Sequence, residues 1–331
     1  MLNKSVLITT SGIGERLGSI TKYNNKSLVK VGDKCAICYI IEAYDDNTDF
    51  IITLGYCGSY VQQFLEIAYP EKKFTFIYID LYVGDGSSLG YSLLKAKEYL
   101  QKPFIFHCCD SIILDKLDFV PDKNILYVYK CDDNVTYSTI IAQNNTIVNE
   151  INFKNHENFD YIYTGIASIH DYNQFWFHLQ NIYDNNKNNT NLSDVHSIQK
   201  MINEKNIFEY KILNTWYDTG NIYSYNIIKN TIKPMYNVID KDYEYICFLP
   251  NKVIKFINDI EINRKRIKRC EILYPHSPKL INYSDNFIAM EVLNGKVLSD
   301  VTDCTLIEKL LKWAKQNLWN DINFDSKYIE Y

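Results

Sequence analysis

No stretch of this 331-residue chain approaches the roughly 18 uninterrupted apolar residues that a membrane-spanning helix requires. Its opening, Met1-Leu2-Asn3-Lys4-Ser5-Val6-Leu7-Ile8, is too short and wrongly ordered for a secretory signal and reads as the first strand of a fold. Basic residues are not in excess. Lys and Arg number 35 against 40 Asp and Glu, a formal net charge of −5, so no global field attracts nucleic acid. A disulfide framework is missing too, because the nine cysteines are odd in number and scattered. Cys35-Ala36-Ile37-Cys38 is a CxxC without the second pair that a zinc site needs. Glycine and proline are scarce while Tyr, Asn, Ile and Lys abound, a bias of AT-rich coding that carries no functional weight. The expectation is a soluble, cytoplasmic chain with no membrane and no nucleic-acid partner.

Hydrophobic residues make up 47% of the chain, enough for a sizeable core, and the length suits two domains. Residues 1–228 alternate between strand and helix patterns. Strands are expected at 6–10, 50–54, 74–79 and 103–108, and helices at 36–43, 60–67 and 89–100. This alternation predicts an α/β, Rossmann-like fold, a mostly parallel sheet with helices on both faces. A polar, asparagine-rich loop is expected at 183–191. The apolar pattern lapses around Pro234, which makes 229–240 a linker. Residues 241–331 read as a smaller α+β domain, with strands at 243–248, 253–257 and 287–293 and helices at 261–273 and 306–318.

Ligands of such sheets bind at the carboxyl ends of strands, and the chemistry-bearing residues fall there. The first strand runs into Thr10-Ser11-Gly12-Ile13-Gly14-Glu15-Arg16. Its glycines admit positive φ, and successive backbone N–H groups in such a loop form an anion cradle. Arg16 offers a fork of donors to phosphate, and Lys26 a compact positive charge. Leu17 stands where a dinucleotide fingerprint needs its third glycine, and no Walker Gly-Lys-Ser/Thr follows. Alone, the loop is equally a tight βα turn. A second loop, Gly84-Asp85-Gly86-Ser87-Ser88, opens a helix, whose N-terminus favours an anion. Asp110 ends the apolar strand, and Asp218 lies in Trp216-Tyr217-Asp218-Thr219-Gly220. Each alone would be an ordinary turn former. His107 lies inside the strand and reads as a satisfied core histidine.

Taken together, Gly12, Gly14, Arg16, Lys26 and the run Leu28-Val29-Lys30-Val31 resemble the sugar-phosphate nucleotidyltransferase family. The chain departs from the usual pattern at Thr10-Ser11, normally two alanines, and at Asn25, normally a proline. The resemblance implies that Asp110 and Asp218 hold Mg²⁺, the kind of hard cation that carboxylates bind and that offsets phosphate charge. It implies that Thr10, Ser11, Gly12, Gly14, Gly84, Gly86, Ser87 and Ser88 bind the nucleotide, and that Arg16 and Lys26 serve catalysis. Lys154 and Gly165 would meet the acceptor phosphate, although a solvated surface lysine is a nearly equal reading of Lys154.

The strand Val253-Ile254-Lys255-Phe256 resembles the lysine strand of kinases, and the order of elements after it resembles a choline-kinase-like small lobe. No large-lobe motif follows, so no phosphoryl transfer to an alcohol is expected, and a 1–228 fragment that remains soluble is expected to keep nucleotidyl transfer. The basic run 263–269 lacks interleaved aromatics and reads as a solvated helix face. The sequence thus points to a Mg²⁺-dependent nucleotidyltransferase joining a nucleoside triphosphate to a small phosphorylated substrate. Resemblance to phosphocholine cytidylyltransferases favours CTP, with a sugar 1-phosphate an equal acceptor, for glycan or lipid decoration such as capsule biosynthesis. The alternatives are a choline-kinase-like phosphotransferase and a regulatory nucleotide-binding module. The last would gain if Asp110 and Asp218 lay far apart.

Overall fold

The computed structural model describes residues 4–117, 122–236, 238, 241–295 and 304–319. Alternation along the strands sets its layers. In β1 (Lys4–Thr9) Val6 and Ile8 enter one core and Leu7 the other. A hairpin of β2 (Lys30–Val31) and β3 (Lys34–Cys35) leads into α1 (Ala36–Glu42). Then come β4 (Thr48–Leu54), α2 (Gly58–Ala68), β5 (Lys73–Tyr78), α3 (Leu89–Ala96) and β6 (Phe104–Cys108). Strands β5, β4, β1 and β6 lie in that order and are all parallel. This is the expected parallel sheet.

Past β6 the sheet changes direction. A two-residue strand, β7 (Ser111–Ile112), leaves it, and β8 (Asn124–Tyr129), β9 (Thr139–Ala142), β10 (Val148–Asn152) and β11 (Tyr161–Ile169) follow. Strand β11 runs antiparallel to β6, β8 and β9, and β10 is antiparallel to β9. Next are α4 (Tyr172–Asn185), α5 (Asp194–Asn203), β12 (Phe208–Ile212), β13 (Tyr217–Asp218) and α6 (Ile222–Thr231). Strand β12 lies parallel to β8. Helix α4 runs into the segment expected as a loop, because Ile182 and Tyr183 still pack on the core. Helices α1 and α2 cover the face that carries Val6, Ile8, Phe50 and Ile52. Helices α3, α4 and α5 cover Leu7, Ile51, Phe104 and Phe106. Each fully buried phenylalanine contributes about 2–3 kcal/mol of transfer free energy.

The C-terminal part is a small antiparallel sheet in the order β14 (Glu244–Leu249), β15 (Lys252–Ile257), β17 (Phe287–Met290), β16 (Leu280–Tyr283). Helix α7 (Ile260–Leu273) packs on it through Ile267, and α8 (Cys304–Asn317) follows. The sheet's inner face is not a core of its own. Tyr245, Cys247, Ile254, Phe256 and Phe287 belong to the same apolar cluster as Phe64 of α2 and Ile37 of α1. Phe64 and Phe287 ring centres lie 5.7 Å apart. Lys252, almost fully buried, donates to the last carbonyls of α2, Ile67 O and Ala68 O, at 3.1 Å each. A cation there complements the helix's negative end. Cutting the lobe away would uncover the face that α1 and α2 share with it. Among the described residues no helix is long and apolar enough to cross a membrane.

Candidate active site

The loop after β1 is fixed by Asn25. Its amide donates to Thr10 O at 2.8 Å and Tyr56 O at 2.6 Å, and its carbonyl accepts from Ser27 N at 2.9 Å. It thereby caps the short 3-10 helix Lys26–Leu28 and places Lys26 at the first position. Gly14 sits at φ 73°, and an added Cβ would lie 3.0 Å from both Lys26 Cβ and Thr21 Cγ2. Only glycine fits there, and the chain turns back so that Lys26 Nζ reaches Asp110 Oδ2 at 3.1 Å.

Asp110 and Asp218, 108 residues apart in sequence, are brought together by a ribbon. Strands β7 and β13 pair antiparallel with Asp218 opposite Ser111, and Thr219 N donates to Asp110 O at 2.8 Å. The Asp218 carboxylate accepts from Gly220 N at 2.7 Å, Asn221 Nδ2 at 2.9 Å and the Tyr137 hydroxyl at 3.1 Å. A Cβ on Gly220 would stand 2.8 Å from Asp110 Oδ2, 2.9 Å from Asp218 Oδ1 and 3.2 Å from an Arg16 guanidinium nitrogen. Both carboxylates and Arg16 thus close around one point that glycine leaves open.

The charges answer one another. Burial alone would raise the Asp110 carboxyl, but Lys26, with help from Arg16, holds it below the ordinary value. Burial would lower the Lys26 ammonium, and the Asp110 charge outweighs it, so Lys26 stands above the ordinary lysine value. Asp218 is raised by burial and then by the Asp110 charge, against the pull of Gly220 N–H, Tyr137 and Arg16. Two carboxylates that repel across a short gap can accept a divalent cation between them. Among the described residues no group of three or more His, Cys, Asp or Glu side chains could hold a metal. Two carboxylates with room for water is the donor set that suits Mg²⁺, which keeps several waters. The residues fit the ion.

Two cavities, of about 710 and about 700 Å³, meet at this point. Arg16, Lys26 and Lys154 line both. Ser11, Gly12, Gly14, Gly84, Ser87 and Ser88 line one, and Asp110, Asp218, Gly165, Tyr137 and Trp216 line the other. Ser88 also caps α3, accepting from Tyr91 N at 3.0 Å. Two expected residues lie outside both cavities. Thr10 is fully buried and donates its hydroxyl to Thr53 O at 2.7 Å. Gly86, at φ 82°, faces the carbonyl of Lys187. Lys154 lines both cavities while remaining exposed, its ammonium lowered by partial desolvation and then by Arg16, against Asp218 and Asp110. The sequence reading missed Tyr137 and Asn221, which hold Asp218, and Asp194, a buried carboxyl that accepts from Tyr163 at 2.8 Å and that burial pushes up to about 6. Asn221 follows the quoted motif directly and could have been found there. Tyr137 carried no signal.

Sheet order and cleft together define an α/β fold whose strand-end pocket gathers two carboxylates and three cations, and this fold is shared with proteins of known structure. No known family and no curated protein matches the sequence. Solved structures do match. The CTP:phosphocholine cytidylyltransferase of Streptococcus pneumoniae superposes with a TM-score of 0.60 at 18% identity, covering 70% of this chain and 100% of that one. A putative glucose-1-phosphate thymidylyltransferase from Bacillus anthracis gives 0.58 at 19%, covering 72% and 98%. The inositol-1-phosphate CTP transferase of T. maritima gives 0.51 at 17%, covering 71% and 98%. At these identities the likeness is one of fold.

Proposed function

We propose that this chain is a magnesium-dependent nucleotidyltransferase of the EC 2.7.7 type. It would couple a nucleoside triphosphate to a small phosphorylated substrate and release pyrophosphate. One observation carries the reading: Asp110, Asp218 and Arg16 converge on a single point where two cavities meet, with Lys26 and Lys154 on the shared wall. Backbone N–H groups around Gly12 and Gly14, with Arg16, hold the triphosphate. Lys154 holds the acceptor phosphate, beside Gly165. A phosphate oxygen of the acceptor attacks the α-phosphorus, the bond from that phosphorus to the bridging oxygen breaks, and pyrophosphate leaves with the electron pair. The acceptor is already an anion near neutral pH, so no general base is needed. Lys26 supports the charge that develops as the bond breaks. Mg²⁺ held by Asp110 and Asp218 would add Lewis-acid neutralisation of phosphate charge.

Residues 1–228 carry this chemistry, 229–240 link, and 241–331 form the attached lobe. CTP is the favoured nucleotide, supported by the fold shared with two enzymes named for CTP. Phosphocholine and a sugar 1-phosphate are both acceptors to test, and the product would serve glycan or lipid decoration from the cytoplasm. The regulatory-module alternative loses ground, since its aspartates would lie apart. In the lobe Lys255 is tied to Glu244 at 2.5 Å, and Arg266 bonds the same oxygen at 2.7 Å, pairings that leave the phosphotransferase alternative resting on the sequence motifs alone. The test is a pyrophosphate-release screen of four nucleoside triphosphates against sugar phosphates, phosphocholine and phosphoethanolamine. Release that needs both an acceptor and Mg²⁺ supports the reading, and no release with any pair sinks it.

A further inference from the structure

His107 lies at the centre of the sheet, fully buried, with β1 on one side of its strand and β11 on the other. Both ring nitrogens are used. Nε2 lies 2.8 Å from Ser111 O, and Nδ1 lies 2.7 Å from the Tyr44 hydroxyl. A carbonyl can only accept, so Nε2 carries the hydrogen. In the neutral ring Nδ1 then accepts, and Tyr44 donates. The contact to Ser111 O spans Cys108, Cys109 and Asp110, and so closes from below the turn that presents Asp110.

Ser111 is a junction. Its hydroxyl donates to Thr164 O at 2.5 Å and accepts from Trp216 Nε1 at 2.6 Å. Its backbone pairs with Asp218. One residue therefore ties the turn bearing Asp110 to the strand bearing Asp218, and His107 fixes that residue from the core. Filling the position with an apolar side chain would leave Ser111 O short of a donor and the Tyr44 hydroxyl buried without an acceptor.

We propose that Tyr44 and His107 are positioning residues that hold the Asp110 and Asp218 carboxylates at cation-binding separation, an inference that rests on the nucleotidyl-transfer reading of that pair. They touch neither substrate nor ion. They set the geometry of the groups that do, as partners of metal-binding side chains commonly do.

The test is Mn²⁺ binding, followed by electron paramagnetic resonance on the full chain, alongside thermal melts and pyrophosphate release. His107→Leu should weaken Mn²⁺ about tenfold or more while the chain stays folded, the size usual for losing such a partner. His107→Gln, whose amide nitrogen can still reach Ser111 O, should restore most of the affinity. Tyr44→Phe, which removes one oxygen only, should weaken Mn²⁺ to an intermediate degree, and it decides the matter should His107→Leu fail to fold. Phe106→Leu, on the same strand but in the opposite core, should lower the melting temperature and leave Mn²⁺ affinity unchanged. Wild-type affinity in folded His107→Leu, or in Tyr44→Phe, overturns the inference. So does an equal loss in Phe106→Leu, which would mark general loosening of the sheet. If the wild type releases pyrophosphate and binds Mn²⁺ but these variants match it, the inference alone falls. A wild type that binds no Mn²⁺ and releases no pyrophosphate removes the nucleotidyl-transfer reading, and this inference with it.

Discussion

Replacing Lys26 by methionine isolates the electrostatic logic of the site. Lys26 Nζ and Asp110 Oδ2 lie 3.1 Å apart, with side chains 21% and 17% exposed. Unit charges at that separation attract by about 5 kcal/mol at an effective dielectric constant of ~20. Water entering the vacated space, with Arg16 nearby, recovers part of this. With the rest lost, the Asp110 carboxyl rises toward the value that burial alone would give it. In the wild type Lys26 outweighs the burial that would raise Asp110 and leaves the carboxylate charged well into acid. In Lys26→Met burial acts against only Arg16 and a backbone hydrogen bond, so the pair keeps a proton to higher pH. The pH at which Mn²⁺ affinity is half lost should therefore move up, and affinity at alkaline pH should match or exceed the wild type's. Mn²⁺ titrations from about pH 5 to 9 measure this. Stability follows the same sign. The pair's contribution is present above the ordinary aspartate range and is lost as pH falls through the depressed Asp110 value. The variant should melt lower at neutral pH and converge with the wild type in strong acid. An unmoved Mn²⁺ midpoint would refute the claim that Lys26 sets the charge of Asp110.

Arg16→Ala removes a charge-assisted phosphate contact, worth about 1.5–3 kcal/mol, so kcat/KM for the triphosphate should fall by roughly tenfold to a hundredfold. Its melting temperature should barely change, because Arg16 is exposed; pyrophosphate release and calorimetry together check this. Asp194 has a native value pushed up to about 6 by burial. Native protein then holds a proton that unfolded chain releases, and stability falls as pH rises from the ordinary aspartate value to about 6. Asp194→Asn keeps an acceptor for Tyr163, so it should melt several degrees higher than wild type at pH 8 and equally at about pH 4; circular-dichroism melts that stay parallel at both pH values would count against this assignment. Lys252→Met should cost about 1–3 kcal/mol by leaving the end of α2 without its donor, read from urea midpoints. A chain ending after Ile228 should aggregate or melt far below the full chain in light scattering and calorimetry, since Phe64 and Ile37 lose their cover.

The parallel half of the sheet was legible because its strands are apolar runs that stop at glycine loops or at Asp110. Val6, Leu7 and Ile8 are buried on both faces, and such strands show no polar alternation to mislead. The antiparallel half was not legible. Strand β11 is broken by a register shift between Tyr163 and Ile166, and β10 alternates buried Val148 and Ile151 with exposed Asn149 and Glu150. Residues 124–169 mix Tyr, Asn and Thr throughout, and strand and loop segments look alike there. The site shows the same divide. Arg16, Lys26, Asp110 and Asp218 stand out as charges at strand ends. Tyr137 does not, because one tyrosine among 28 carries no signal until the fold brings it to Asp218. Asn25 was noted as a departure from the usual proline, and the structure gives its reason. Its side chain makes the bonds that hold two loops against Lys26, a task that proline's ring cannot perform.

The same local view explains why the C-terminal lobe matters to a site that its described residues do not line. Lys26 is followed by the hairpin β2–β3, and that hairpin is where the lobe attaches. Phe248 N donates to Asp33 O at 2.7 Å. The Asp33 carboxylate accepts from Met235 N and Tyr236 N. Cys35 at the end of β3 packs against Cys247 of β14, sulfur to sulfur at 3.0 Å. The linker and the lobe therefore hold the turn of the hairpin and its second strand, where α1 starts. Lys26, one short 3-10 turn before the hairpin, sits on backbone that the lobe holds still. A close pairing such as Lys26 with Asp110 tolerates little displacement, since Coulomb attraction and hydrogen-bond angle both decay within about an ångström. On this geometry the lobe serves the first domain as a buttress, whatever further role its own surface has.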